Sequence, residues 1–202
     1  MSDSTMVSVG SSVPNFELEI YNPDEREFGR ISLESLRAAG KWTILVFYPA
    51  DFTFVCPTEL ADLADQYEAI TKLGAEVISV STDTKYAHMA WRNSEKLLSK
   101  VRYPMAADSK RSLSQLFGVY DPVSGLSLRG TFIINPEGVL VSSEVNYYNV
   151  GRNADELVRK LEANVYLLEH PEEACPAKWT KGGKTLKPSS EMVGKVFEAM
   201  QG

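Results

Sequence analysis

Apolar and polar positions along the chain repeat with two periods, two residues in some segments and three to four in others. FELEI, Phe16 to Ile20, alternates residue by residue and predicts a half-exposed strand after a polar lead-in over residues 1–14. A loop with Asn22, Pro23 and Asp24 follows, then LESLRAAG, a short helix closed by Gly40. WTILVFY, Trp42 to Tyr48, is apolar throughout and of strand length, which predicts a central strand covered on both faces. From Thr58 onward, Leu60, Leu63, Ala64, Tyr67, Ile70 and Leu73 share one helical face that ends at Gly74. EVISVST predicts a second buried strand, Lys85 to Lys100 a helix, Pro104 to Asp108 a short strand or loop, and Leu113 to Phe117 a short helical piece. In GTFIINPEGVLVSSEV two apolar runs flank Asn135-Pro136-Glu137-Gly138, which predicts a hairpin. Asn153, Asp155 and Glu156 read as a cap and acidic first turn of a last helix, with Leu157, Leu161, Val165 and Leu168 as its buried stripe. After His170-Pro171 the pattern weakens into EEACPAKWTKGGKTLKPSS, an extended arm. Strands alternating with helices predict an α/β domain with a mixed central sheet over residues 1–170, and the arm occupies residues 171–202.

Composition narrows the possible roles. A chain of 202 residues with 44% hydrophobic content can bury the core of one domain with an appendage. A net charge of -6 disfavours nucleic acid and anionic membrane as partners, since both select clustered Lys and Arg. The first residues, MSDSTMVSVGSSVP, have neither the basic residues nor the apolar run of a signal peptide, and no stretch is long enough to span a bilayer. The expected location is the cytoplasm, where thiols are kept reduced, so Cys56 and Cys175 are not expected to form a permanent structural bridge; a transient, catalytic one stays open. Two cysteines and two histidines without ligand spacing give no reason to expect a metal.

The strongest chemical signal is ADFTFVCPTE, where the apolar strand hands over to a helix. Cys56 stands at the helix N-terminus and Pro57 suits the first helical position. Such a site favours a thiolate, with free backbone N–H groups expected to point toward it. Pro49, Thr53 and Cys56 form P-x-x-x-T-x-x-C, followed by Pro57. With Arg129 in LRGTF, Val150-Gly151-Arg152, and EACPAKW around Cys175, this set resembles the typical two-cysteine peroxiredoxins, and within them the bacterial alkyl hydroperoxide reductase type. The likeness runs from about Phe16 to the C-terminal arm, and the order of elements resembles an elaborated thioredoxin fold.

The resemblance implies a thiol peroxidase that reduces hydrogen peroxide and small organic hydroperoxides without metal or prosthetic group, in antioxidant defence and redox homeostasis. Ionisation alone cannot carry that chemistry. Lowering a thiol from about pKa 8.5 toward about 6 gains roughly thirtyfold in thiolate, against the millionfold or so that enzymes commonly supply. The remainder must come from positioning the O–O bond and stabilising developing charge. By the resemblance, Thr53 offers its hydroxyl to peroxide or thiolate, Arg129 holds the thiolate and polarises the peroxide, and Pro49 shields the sulfur. Glu59 either orients Arg129 or is an ordinary first-turn carboxylate; Arg152 is a supporting residue and Trp91 a wall near the site. His88 and His170 read as surface or packing residues.

Cys175 resembles the family's resolving cysteine, which implies a disulfide to Cys56 of the partner subunit in a head-to-tail homodimer that assembles to a decamer. A reducing partner is then required, either a flavoprotein disulfide reductase or a thioredoxin-type protein. A thioredoxin-like disulfide reductase is weakened by the absence of Cys-x-x-Cys, and a holdase chaperone or structural ring assembly is the reading from another class. Readily over-oxidised peroxiredoxins carry a Gly-Gly-Leu-Gly segment and a C-terminal Tyr-Phe helix. Here those regions read SEKLLSKVRYP and KVFEAMQG, which implies an enzyme that resists over-oxidation.

Overall fold

In the computed structural model, which describes residues 6–201, β1 (Glu17–Asn22) and β2 (Glu27–Ser32) pair antiparallel and lead straight into α1 (Leu33–Ala38). Residues 1–5 of the polar lead-in lie outside the described residues. The Ser32 hydroxyl caps α1 by accepting the Ser35 N–H. β3 (Trp42–Phe47), α2 (Cys56–Lys72) and β4 (Ala75–Ser81) make a parallel crossover. Then come α3 (Lys85–Ser94), a 3-10 turn over Lys96–Lys100, β5 (Met105–Ala107), α4 (Ser112–Leu116), and the two-residue strands β6 (Tyr120–Asp121) and β7 (Leu126–Ser127). The hairpin of β8 (Arg129–Ile134) and β9 (Leu140–Asn146) precedes α5 (Ala154–Glu169), with α6 (Val196–Gln201) near the end.

Seven strands form a mixed sheet in the order β2-β1-β5-β4-β3-β8-β9, parallel at β3/β4 and β4/β5 and antiparallel elsewhere. Every residue of β3 is buried, as a strand covered on both faces requires. Alternate side chains separate the two layers. Leu45 and Phe47 join Ile78, Val80, Phe132 and Ile134 in a cluster with Leu33 and Leu36 of α1 and Leu113 of α4. Ile44 and Val46 fall on the other face, the side on which α2 packs against β4. The fold is the thioredoxin-like α/β arrangement of the sequence reading, with helices flanking a mixed sheet.

Several elements differ from expectation. The helix over residues 85–100 is broken at Glu95, which takes an extended ψ of 112° and caps the next turn by accepting the Leu97 N–H. β2 was absent from the periodicity because EFGRIS is an edge strand exposed over most of its length, so little apolar alternation marks it. Part of the lead-in is structured: Gly10 and Val13 donate to the Leu140 and Gly138 carbonyls at 2.8 Å each, and Val13 is buried. Leu168, expected in the buried stripe of α5, is exposed, whereas Leu157 and Leu161 are buried. Among the described residues, no helix is long and apolar enough to cross a membrane.

The chain divides into two compact units, Met1–Ala154 and Asp155–Gly202. In the second, the arm folds back on itself: Ala174 and Leu186 pair through hydrogen bonds of 2.8 and 2.9 Å, and Trp179 Nε1 donates to Gly183 O at 3.1 Å. Arg159 and Tyr166 on α5 hold this loop, by a hydrogen bond from Arg159 to Trp179 O at 3.0 Å and a Tyr166 ring contact with Trp179 at 5.4 Å.

Candidate active site

The peptide leaving β3 makes one turn over residues 49–55 and enters α2 at Cys56, so the parallel β3/β4 pair places the thiol at the carboxyl end of the sheet. Cys56 is fully buried and free. Val55 is the N-cap, in helical geometry without a side-chain cap. Its carbonyl accepts the N–H groups of both Thr58 and Glu59, at 3.0 and 3.2 Å. These first-turn donors, expected to face the sulfur, are therefore committed within the turn.

The positive charge beside the sulfur comes from β8 instead. Arg129 Nη1 donates to Cys56 Sγ at 3.4 Å and also to Glu59 Oε2, while its Nε donates to the Tyr148 carbonyl at 2.8 Å. Arg129 is 3% exposed, so the field of its guanidinium at the sulfur is little screened by water. Glu59 bridges two arginines. Its Oε1 accepts Arg152 Nε at 2.8 Å and the Arg152 N–H at 2.9 Å, and Arg152 Nη1 reaches Gly130 O at 2.9 Å. Two cations thus share one carboxylate, and Glu59 is satisfied on both oxygens, as a buried charge must be.

Pro49, Thr53, Cys56 and Arg129 line one cavity of about 230 Å³. Phe54, Val55, Leu126, Tyr148 and Asn149 complete the wall; the sequence reading missed these five, although Tyr148 and Asn149 stand just ahead of the Val150-Gly151-Arg152 signal. The Thr53 hydroxyl donates to Ala50 O at 2.8 Å, so its one proton is used and its oxygen is left as an acceptor. Trp91 does not line the cavity; it is buried against Tyr48 and Phe52, with ring centroids 5.9 and 6.2 Å away. His88 is a buried polar group: Nδ1 meets Asp51 Oδ2 at 2.8 Å and Nε2 meets Ala106 O at 3.1 Å. Tyr48 donates its hydroxyl to Asp51 Oδ1 at 2.7 Å, and burial together with the Asp51 charge keeps the phenol protonated, well above its ordinary range.

Cys175 lies in the second unit, half-buried and free. Burial, then the Glu173 carboxylate, raises its pKa, against the opposing pull of Arg159. His170, Glu172 and Glu173 bring potential ligand atoms within 4.8 Å of one another, but Glu173 Oε2 already accepts from Tyr166 and Thr185.

Comparison with known proteins supports the same grouping. Residues 9–143 match the AhpC/TSA family, and residues 169–199 match the C-terminal domain of 1-Cys peroxiredoxin. The alkyl hydroperoxide reductase C of Staphylococcus aureus (strain Mu50 / ATCC 700699) is 44% identical over 191 residues, covering 95% of this chain and all of that protein. Among solved structures, Enterococcus faecalis AhpC superposes with a TM-score of 0.79 at 45% identity, over 85% of this chain and all of that one. The reduced 2-Cys peroxiredoxin of Plasmodium vivax gives 0.85 at 32% identity, over 91% of this chain and 94% of that one. Sequence likeness across nearly the whole length and the same fold lead to one conclusion: the chain belongs to the AhpC/TSA family and is a peroxiredoxin enzyme of the alkyl hydroperoxide reductase type.

Proposed function

We propose that the protein reduces hydrogen peroxide and small organic hydroperoxides through a sulfenic acid on Cys56 and a disulfide with Cys175. The carrying observation is the Arg129 guanidinium 3.4 Å from the Cys56 sulfur, in a cavity lined by both residues and by Thr53. The thiolate attacks the O–H oxygen of the peroxide; an S–O bond forms, the O–O bond breaks, and the leaving alkoxide or hydroxide takes up a proton. Thr53 Oγ1 accepts the peroxide O–H, which aims that oxygen at the sulfur. Arg129 stabilises charge first on sulfur and then on the departing oxygen, Pro49 shields the sulfur, and Glu59 with Arg152 holds Arg129 in place.

Cys56 is fully buried, so a second thiol meets it only after the first turn of α2 opens. Cys175 of the partner subunit then displaces hydroxide from the sulfenic sulfur to give the disulfide, and an external dithiol, from a flavoprotein reductase or a thioredoxin-type protein, restores both thiols. This reading takes a head-to-tail homodimer, assembling to a decamer in the cytoplasm, as the working unit. Peroxide consumption with dithiothreitol tests the assignment. Wild type is expected to turn over and Cys56→Ser to fall to the rate of reagent alone; equal consumption by both would sink it.

A further inference from the structure

Asp83 is not among the cavity-lining residues, yet it ends a hydrogen-bond chain that leads to Thr53. The peptide joining Ala50 to Asp51 is trans and planar, so its C=O and N–H point oppositely from one rigid unit. On one side, Asp83 Oδ2 accepts the Asp51 N–H at 2.9 Å. On the other, Ala50 O accepts the Thr53 hydroxyl at 2.8 Å. Ser81 fixes the carboxylate in turn, donating its hydroxyl to the same Oδ2 at 2.7 Å and accepting the Asp83 N–H at 3.1 Å. The Asp51 side chain is anchored separately, by Tyr48 and His88.

Two physical consequences follow for the turn that carries Thr53. A carboxylate on the N–H side of a peptide polarises it, which strengthens its oxygen as an acceptor, tightens the Thr53 bond, and leaves Thr53 Oγ1 a better acceptor in turn. Phe52 also stands at φ 56° in the left-handed region, a conformation that a bulky side chain keeps only when its surroundings impose it. Here the anchored Asp51 peptide lies on one side, and the Phe52 ring contacts Trp91 on the other.

We propose that Asp83 is a positioning residue for peroxide reduction: through the Ala50–Asp51 peptide it fixes the Thr53 hydroxyl as the acceptor for the peroxide O–H. The inference rests on Thr53 meeting the peroxide, as proposed above. The test is the single-turnover rate of Cys56 oxidation in the pre-reduced, full-length protein, measured with hydrogen peroxide in Asp83→Ala, Asp83→Asn, Thr53→Val and the Thr53→Val/Asp83→Ala double variant. Losing the acceptor is expected to slow oxidation about tenfold in Asp83→Ala, whereas Asp83→Asn, whose amide oxygen still accepts the Asp51 N–H, stays within about twofold of wild type. Asp83→Ala should add nothing in the Thr53→Val background, because coupled residues are not additive. Ser81→Ala is the milder variant, expected to slow oxidation about threefold, again only when Thr53 is present. An equal slowing by Asp83→Ala with and without the threonine hydroxyl, or an Asp83→Asn protein as slow as Asp83→Ala, overturns the inference alone. A Thr53→Val protein as fast as wild type overturns the reading of Thr53 and takes the inference with it.

Discussion

The two cysteines stand in different surroundings. Arg129 lies beside Cys56 and shares Glu59 with Arg152, while at Cys175 burial first and then the Glu173 carboxylate raise the pKa against Arg159. The anion is thus disfavoured at Cys175, the thiol proposed to resolve the sulfenic acid. Because only the thiolate of Cys175 can attack a sulfenic sulfur, its raised pKa has a definite sign. Below that pKa the rate of disulfide formation climbs about tenfold per pH unit, and it levels off above it. Glu173→Gln should move this rise to lower pH and speed disulfide formation at pH 7 by roughly two- to fivefold. The substitution leaves an oxygen able to accept from Tyr166 and Thr185, since both now donate to the one atom, Oε2. Stopped-flow measurement of the second step across pH checks it; a profile that does not move would remove Glu173 from the account.

At the scale of elements, β8 does most to complete the site that α2 begins, because it carries Arg129 and pairs with β3, the strand that leads into α2. Gly130 follows Arg129, and a Cβ added there would stand 2.6 Å from Phe132 Cε2 and 2.8 Å from Val119 Cγ1. Both are buried side chains of the core, so neither has free space to retreat into. Gly130→Ala is expected to destabilise the fold by about 1–3 kcal/mol, the usual cost of overpacking a core. It should also slow peroxide oxidation of Cys56, since Arg129 would shift with the strand. Chemical denaturation and the single-turnover rate test this together, and an unchanged midpoint would show that the Phe132 ring yields freely. The same elements show what the sequence made legible. β3 announces itself as a near-continuous apolar run, α2 by the apolar stripe of Leu60, Leu63 and Ile70, β4 by its Val and Ile, and the β8/β9 hairpin by the turn chemistry of Asn135 to Gly138; the Gly138 N–H indeed donates to Asn135 O at 2.9 Å. β2 and the break at Glu95 do not, since an exposed edge strand and a side-chain cap leave no period to read. At the site, Cys56, Thr53 and Arg129 carry a motif, but the donation of the Thr53 proton to Ala50 O and the anchoring of that turn by Asp83 depend on backbone direction. Residue types alone do not encode that direction.

At the scale of the whole molecule, the proposed cycle needs one sulfur from each compact unit, Cys56 from Met1–Ala154 and Cys175 from Asp155–Gly202, and both are free. Two local openings must precede their meeting. The turn at Cys56 must unwind from full burial, and the segment around Cys175 must leave the pairing of Ala174 with Leu186. The terminal α6 offers little resistance, since none of its residues is buried. Connectivity does not require the two sulfurs to come from one chain, and this makes the intersubunit bridge testable by complementation. A solution of Cys56→Ser chains lacks the sulfur proposed to attack peroxide, and one of Cys175→Ser chains lacks the proposed second thiol. A mixture that has exchanged subunits contains one competent pair, Cys56 of one variant facing Cys175 of the other. With random exchange about half of the dimers are mixed, and each holds one such pair. Peroxide should therefore produce a disulfide-linked dimer on nonreducing electrophoresis from the mixture and from neither variant alone. A wild type that oxidises to a bridged species of monomer size, with no dimer from the mixture, would place both sulfurs of the bridge in one chain.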